Sequence, residues 1–424
     1  MPVKKKYGIV VFGASGFTGR FVVKELARAA DEKRGEFAWA VAGRSRDKLQ
    51  SILQETAQSL GKMNLGEVGV IVCNINDDES LVSMCGQANV VLDCVGPYRF
   101  YGEPVVKACV ENGANYVDIC GEPKFLESMQ LKYDKMAAEK GVYVVGSCGF
   151  DSIPADMGVL YTRDQFPGTL TAVESYLAIQ TGAEGAGVHF GTWQSAIHGF
   201  SDQASLRTLR KHFGYKPLPV MGRKLTKRGM VFYSKDVERW AFPFPGSDVS
   251  VVRRTQRFMH ENLERVPLQY AAYATVGSVG YLLLTILMGI MFGLLARFSF
   301  GRKLLEKYPK IFSFGVFSHE GPTKKQMEET SFSMTFFGEG FSQTQDMKQD
   351  KPEQKIITQV RGPDPGYIAT SIFLVQCGLT LLQEQSALPP KGGVYTPGIA
   401  FGGTSLIKRL TQHGLHFSVL TGPK

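Results

Sequence analysis

The 424-residue chain has no Cys-x-x-Cys pair, no evident internal repeat and, among its sixteen tyrosines, no Tyr-x-x-x-Lys pair. Its seven cysteines are odd in number, widely spaced and mostly set in apolar runs. They exclude a disulfide framework and a zinc site, and they indicate a reducing compartment. Without Tyr-x-x-x-Lys, the chemistry of short-chain dehydrogenases is disfavoured. Three lysines precede the apolar run Ile9, Val10, Val11 and Phe12, but four residues are too few for a secretory h-region, and no cleavable presequence is expected. Two further absences are local. Residues 203–235 carry nine Lys and Arg and no acidic residue, which accounts for the whole net charge of +9. Residues 266–296 carry no charge of either sign.

What is present is an ordinary globular balance, 44% hydrophobic and 21% charged, long enough for two or three domains. The β-branched run at 7–12 leads into Gly13-Ala14-Ser15-Gly16-Phe17-Thr18-Gly19 and then a helical pattern. Strand, glycine turn and helix in that order form a dinucleotide-binding unit. Gly13 allows the tight turn, Gly16 lets backbone N–H groups reach a pyrophosphate, and Gly19 lets the helix lie close to the sheet. Ser15 and Thr18 add hydroxyl donors at the positive end of the helix. A strand at 37–42 ends in Gly43-Arg44-Ser45-Arg46-Asp47-Lys48, where an NAD enzyme would carry an acidic residue. Arg44, with Ser45 and Lys48 in reach, offers a fork to a 2′-phosphate instead, so NADP is expected rather than NAD. Strands at 69–73, 90–95, 116–119 and 142–146 alternate with helices, giving a six-stranded, doubly wound parallel sheet. The loops that follow three of them, 96–102, 121–123 and 149–156, should border the nicotinamide.

Val11 to Gly19, Ala42-Gly43-Arg44-Ser45, Cys94-Val95-Gly96-Pro97-Tyr98, residues 149–158 and the closing run Gly392-Gly393-Val394-Tyr395-Thr396-Pro397-Gly398 resemble the saccharopine dehydrogenase family along nearly the entire chain. The resemblance implies an NADP-type Rossmann domain with Phe17, Val95, Gly96 and Pro97 in its cofactor loops, followed by a second α+β domain. It also brings in bacterial trans-acting enoyl reductases of glycolipid assembly. Asn74 stands where the family would carry an Asp near the adenine.

The expected fold class is therefore α/β: a Rossmann domain at 1–155, an α+β substrate domain in two parts at 156–265 and 301–424, and a membrane-associating insertion at 266–300. As one helix, residues 272–296 would span roughly 37 Å, more than a bilayer core of about 30 Å. Basic residues flank the run on both sides, so charge gives no orientation. A single crossing would separate strands that should pair, and sheet hydrogen bonds do not form through a bilayer. A one-leaflet insertion is expected instead, as an in-plane helix or as a hairpin bent at Gly277, Gly280, Gly289 and Gly293. The basic window, interleaved with Phe213, Tyr215, Leu218, Val220, Met221 and Leu225, suits an anionic lipid surface better than nucleic acid.

The function expected is an NADP-dependent oxidoreductase on a small-molecule or lipid substrate. It would sit on the cytosolic face of a lipid droplet or another intracellular membrane, with the mitochondrion as a further location and a homodimer as a candidate assembly. The competing class is a non-catalytic nucleotide-binding scaffold or sensor. Tyr98 and Asp151 are the candidate proton-transfer residues, with His189 and His198 behind them.

Overall fold

The computed structural model describes residues 5–32, 35–61, 65–201 and 203–422. The chain forms two units, Met1–Phe150 with Tyr367–Leu410, and Asp151–Gly366 with Thr411–Lys424.

The first unit opens with β1 (Tyr7–Phe12), α1 (Phe17–Glu32), β2 (Trp39–Gly43), α2 (Arg46–Leu60), β3 (Gly69–Val72) and α3 (Asp78–Gln87). It continues with β4 (Ala88–Asp93), α4 (Tyr98–Glu111), β5 (Asn115–Asp118), α5 (Pro123–Lys140) and β6 (Tyr143–Val145). Ser45 and Asp77 cap α2 and α3 by accepting backbone N–H groups, and Gly61 and Gly141, both left-handed, end α2 and α5. All pairings are parallel. The loop at 96–102 is shorter than the sequence suggests, because Tyr98 already belongs to the first turn of α4 and Pro97 is its N-cap.

The second unit begins with α6 (Ile153–Asp164), β7 (Gly168–Gln180), the short β8 (Val188–His189), α7 (Phe190–Ser201) and α8 (Gln203–His212). Next come β9 (Phe232–Ser234), β10 (Arg239–Pro243), α9 (Asp248–Leu263), β11 (Gln269–Val276), α10 (Val279–Ala296) and α11 (Ser299–Lys307). α12 (Pro309–Phe312), β12 (Phe317–Ser318), α13 (Lys324–Glu328), β13 (Ser331–Ser342) and β14 (Gln354–Pro363) complete the insertion, with the polar run at 346–354 in the hairpin between β13 and β14.

The chain then returns to the first unit through α14 (Thr370–Gln383), β15 (Gly393–Tyr395), α15 (Pro397–Phe401) and α16 (Leu406–Gln412), and ends in β16 (His416–Thr421). This corrects the expected domain boundaries. The apolar helix α14 and the closing Gly-Gly motif are parts of the first unit, not of the second. β15 pairs in parallel with β6, so the sheet has seven strands in the order β15-β6-β5-β4-β1-β2-β3. α14 is buried along almost its whole length, and Gly378 lets it press against Leu92 of β4.

The second sheet runs β16-β14-β13-β7-β11-β10-β9, and only its β7–β11 pair is parallel. Here too the sequence reading needs correction. The uncharged run is not one 25-residue helix: its first part is strand β11, and α10 has 18 residues, or about 27 Å. α10 is continuous through Gly280, Gly289 and Gly293, so these glycines do not fold it into a hairpin. β11, the strand before α10, and β13, which comes after it beyond the short β12, both hydrogen-bond to β7. A helix whose two flanks meet on one strand cannot place them on opposite sides of a bilayer.

Gly378→Val is expected to overpack the α14–β4 contact by about 1–3 kcal/mol, read as a lower midpoint of chemical unfolding. An unchanged midpoint would remove α14 from this core.

Candidate functional site

The strand order reverses between β1 and β4, so the crevice at their carboxyl ends is the expected ligand position. The structure brings the two predicted cofactor loops together there. Cys94 donates its N–H to the Phe12 carbonyl at 2.9 Å, and a Cβ added to Gly13, whose φ is +80°, would lie 2.8 Å from Cγ2 of Val95. Gly13 therefore serves both turn and approach. Gly16 is exposed at the tip and donates to the Gly13 carbonyl, while a side chain at Gly19 would collide with that same carbonyl. Phe17, Thr18 and Gly19 form the first turn of α1, the end of a helix that attracts anions.

At the end of β2, Arg44 and Lys48 are exposed, and Gly43 lies beside the Ser15 hydroxyl. Ser45 uses its hydroxyl oxygen to cap Lys48 N–H, which starts α2 next to the arginine. Val95, Gly96 and Pro97 form the β4 loop, with a cis Gly96–Pro97 peptide. Sequence reasoning missed Tyr367, whose ring packs edge-on against Phe17 at 4.9 Å. Nothing short of the fold reveals it, because 350 residues separate the two.

The candidate acids fare differently. Tyr98 is 5% exposed, and its hydroxyl donates to the Asp93 carbonyl at 2.7 Å and accepts from Ile119 N–H at 3.3 Å. Burial, then the neighbouring Asp93 and Asp118, push its phenol far above the ordinary range. Its hydroxyl ties the β4 and β5 loops together and is not presented as a proton donor.

Asp151 lies in the second unit, where burial pushes its carboxyl to about 6, in the range useful for acid–base work near neutrality. It sits beside Gly246 and next to Ser152, whose hydroxyl is shared with Ser247 and Asp248. His198 pairs with Glu306 at 2.9 Å and His189 accepts the Gly191 N–H, both local structural roles. Among the described residues no group of His, Cys, Asp and Glu could hold a metal ion.

In the second unit α10 packs through Phe292, Leu295 and Ala296 onto Trp193, Ile197 and Leu305. Only 11% of the helix is buried. Tyr281, Leu283, Leu287, Ile290 and Leu294 face outward, and Phe298, Phe300 and Ile311 extend the apolar surface. Arg302 donates to the Ala296 and Arg297 carbonyls, closing the end of α10. The basic window is less free than its composition suggests. Arg228 makes a bidentate pair with Glu174 and lies over Phe232, and the Arg257 guanidinium covers Tyr215.

Residues 9–145 match the saccharopine dehydrogenase NADP binding domain. A mouse protein called saccharopine dehydrogenase-like oxidoreductase is 56% identical over 421 residues, 99% of this chain and 98% of the relative. A Caenorhabditis elegans protein called lipid droplet localized protein is 41% identical, covering 98% of each. The solved yeast saccharopine dehydrogenase (L-Glu forming) aligns with a TM-score of 0.54 at 10% identity, covering 98% of this chain and 100% of that one, a likeness of fold. With the glycine loop, the strand order and the full-length relatives in agreement, the chain belongs to the family of saccharopine dehydrogenase-like oxidoreductases, and its first unit is that family's nucleotide-binding domain.

Proposed function

We propose that this protein is an NADP-dependent oxidoreductase that works on a lipid surface and acts on a lipid-like substrate. The observation that carries the reading is α10: an uncharged 18-residue helix, 11% buried, held by one face against its own unit. Surfaces of this kind mark interaction sites. Because β11 and β13 both return to β7, the helix lies along one leaflet or monolayer and does not cross. Arg297, Arg302, Lys303, Lys307 and Lys310 follow it and suit phosphate headgroups. The name of the C. elegans relative supports a droplet monolayer as that surface.

NADP preference rests on Arg44 at the end of β2, where no acidic side chain competes for the 2′-phosphate. In catalysis the cofactor would supply the hydride. The chain's own part is to hold the pyrophosphate at the start of α1 and to fix the loop at Val95, Gly96 and Pro97; Asp151, in the second unit, is the candidate proton-exchanging group. The engaged hydroxyl of Tyr98 favours a second reading, a nucleotide sensor without turnover. NADPH oxidation by the purified protein with a defined lipid would exclude it.

Two outcomes are expected. In fluorescence titrations the protein binds NADPH more tightly than NADH, and Arg44→Ala weakens NADPH by about 10- to 100-fold while leaving NADH nearly unchanged. Equal affinities in wild type and variant would defeat the NADP assignment. In flotation with phospholipid-coated triglyceride droplets, the wild type rises with the droplets. A triple variant, Leu283→Asp with Leu287→Asp and Ile290→Asp, stays in the aqueous phase with its fold intact by circular dichroism. If the variant floats equally well, α10 is not the docking element; recovery of the cellular protein with mitochondria would move the surface but not the mode.

A further inference from the structure

Two carboxyl groups that take no part in the proposed reading stand side by side under the cofactor loops. Asp93 and Asp118 are the last residues of β4 and β5, and they are register partners on neighbouring parallel strands. Their side chains therefore leave the sheet on the same face, from strands about 4.8 Å apart. Both are 0% exposed.

Each carboxyl holds loop backbone. Asp93 Oδ1 accepts the Val95 N–H at 2.9 Å, and Oδ2 is bonded to the Tyr116 hydroxyl at 3.1 Å. Asp118 Oδ1 accepts the N–H groups of Cys120 at 2.9 Å and Ser147 at 2.8 Å. Asp118 Oδ2 is buried and has no hydrogen-bond partner. Ser147, itself at φ +61°, donates its hydroxyl to the Cys120 carbonyl, and Tyr98 N–H is accepted by Glu122. The loops after β4, β5 and β6 are thus joined through these two carboxyls.

The ionisable groups that interact with the pair are Tyr98, Tyr116, Cys73, Cys94, Cys109, Cys120, Cys148 and Glu122. All are acids, and no cation is among them. Two bare carboxylates in that setting would carry both the desolvation penalty and mutual repulsion.

We propose that Asp93 and Asp118 hold one proton between them at neutral pH, and that this half-protonated pair is what positions Val95, Gly96 and Pro97 for the cofactor. The inference rests on the cofactor reading given above. Burial, reinforced by Asp118, keeps the Asp93 carboxyl well above the usual carboxylate range, while Asp118 is raised to about 6, chiefly by burial. Asp118, whose Oδ1 receives two loop N–H groups, is the better placed of the two to carry the charge, and Asp93, which receives one, to keep the proton. The direction of the pH effect follows. A carboxyl that keeps its proton more tightly folded than unfolded loses stability for the fold as pH rises above the unfolded value, until the folded value is passed. Alkaline pH should strip the last proton and loosen the β4 loop.

The test compares wild type, Asp93→Asn, Asp93→Ala and Asp118→Asn between pH 7 and pH 9.5, above the titration of the cofactor's own phosphate at about 6. Wild-type NADPH affinity should fall about tenfold across this range, with a parallel fall in Tm. Asp93→Asn, which keeps the acceptor but has no proton to lose, should reduce both dependences to within threefold. Asp93→Ala removes the Val95 clamp and should weaken NADPH about tenfold at every pH. Asp118→Asn should move the midpoint of the Tm profile to lower pH, and it serves as the decisive variant if Asp93→Asn does not fold. Tm profiles of Asp93→Asn or Asp118→Asn that superpose on the wild type overturn the proposal. Failure of the wild type to bind NADPH at any pH overturns the cofactor reading instead, and the Tm profiles still decide whether the pair shares a proton.

Discussion

Everything about how this protein can meet a membrane depends on the backbone hydrogen bonds of β7. That strand is paired on one edge with β11, which precedes the apolar helix α10, and on the other with β13, which follows it later in the chain. Peptide groups left unpaired in hydrocarbon are too costly to tolerate, so the sheet stays whole on one side of any lipid layer. The apolar helix is consequently displayed, not threaded. Its inner face is satisfied by Trp193, Ile197 and Leu305, with the Trp193 ring N–H donated to the Leu305 carbonyl at 3.0 Å, and α11 turns back at Gly301, where a side chain would strike the Leu295 carbonyl. The display is built into the packing of the second unit.

The first unit works by close approach. Gly13 against Val95, Gly19 against the Gly13 carbonyl and Gly378 against Leu92 are three places where the absence of a Cβ allows elements to touch. The first two shape the cofactor loop, and the third seats the helix that closes the sheet. The polar side is equally economical: Tyr98, Asp93, Asp118, Glu122 and Ser147 spend nearly all their hydrogen-bonding capacity on the three loops, leaving one carboxylate oxygen of Asp118 over.

The glycine loop, the basic residue at the end of β2 and the alternation of the first 146 residues were legible because each is a local pattern with a fixed spacing. The second unit was legible as an α+β domain, but the order of its sheet was not. The apolar run at 266–296 was misread as a single helix because absence of charge does not separate a buried strand from a helix; the aromatic and β-branched residues of β11 were the available signal. The segment that forms α14 was assigned, with the rest of 301–424, to the wrong unit, since apolarity says that a helix is covered but not by what. Tyr98 looked reactive in sequence because its loop lies at a strand end. Only its two main-chain bonds, at 2.7 and 3.3 Å, show that the hydroxyl is occupied.

The return of residues 367–410 to the first unit has a consequence for synthesis. The nucleotide-binding sheet lacks its covering helix α14 and its edge strand β15 until nearly the whole chain has been made. At roughly 5–20 residues per second, the exposed apolar face of α10 emerges seconds before the cofactor unit can close. A nascent chain therefore exposes an apolar helix face before its first sheet is complete. Its order of maturation is apolar face first and closed sheet second.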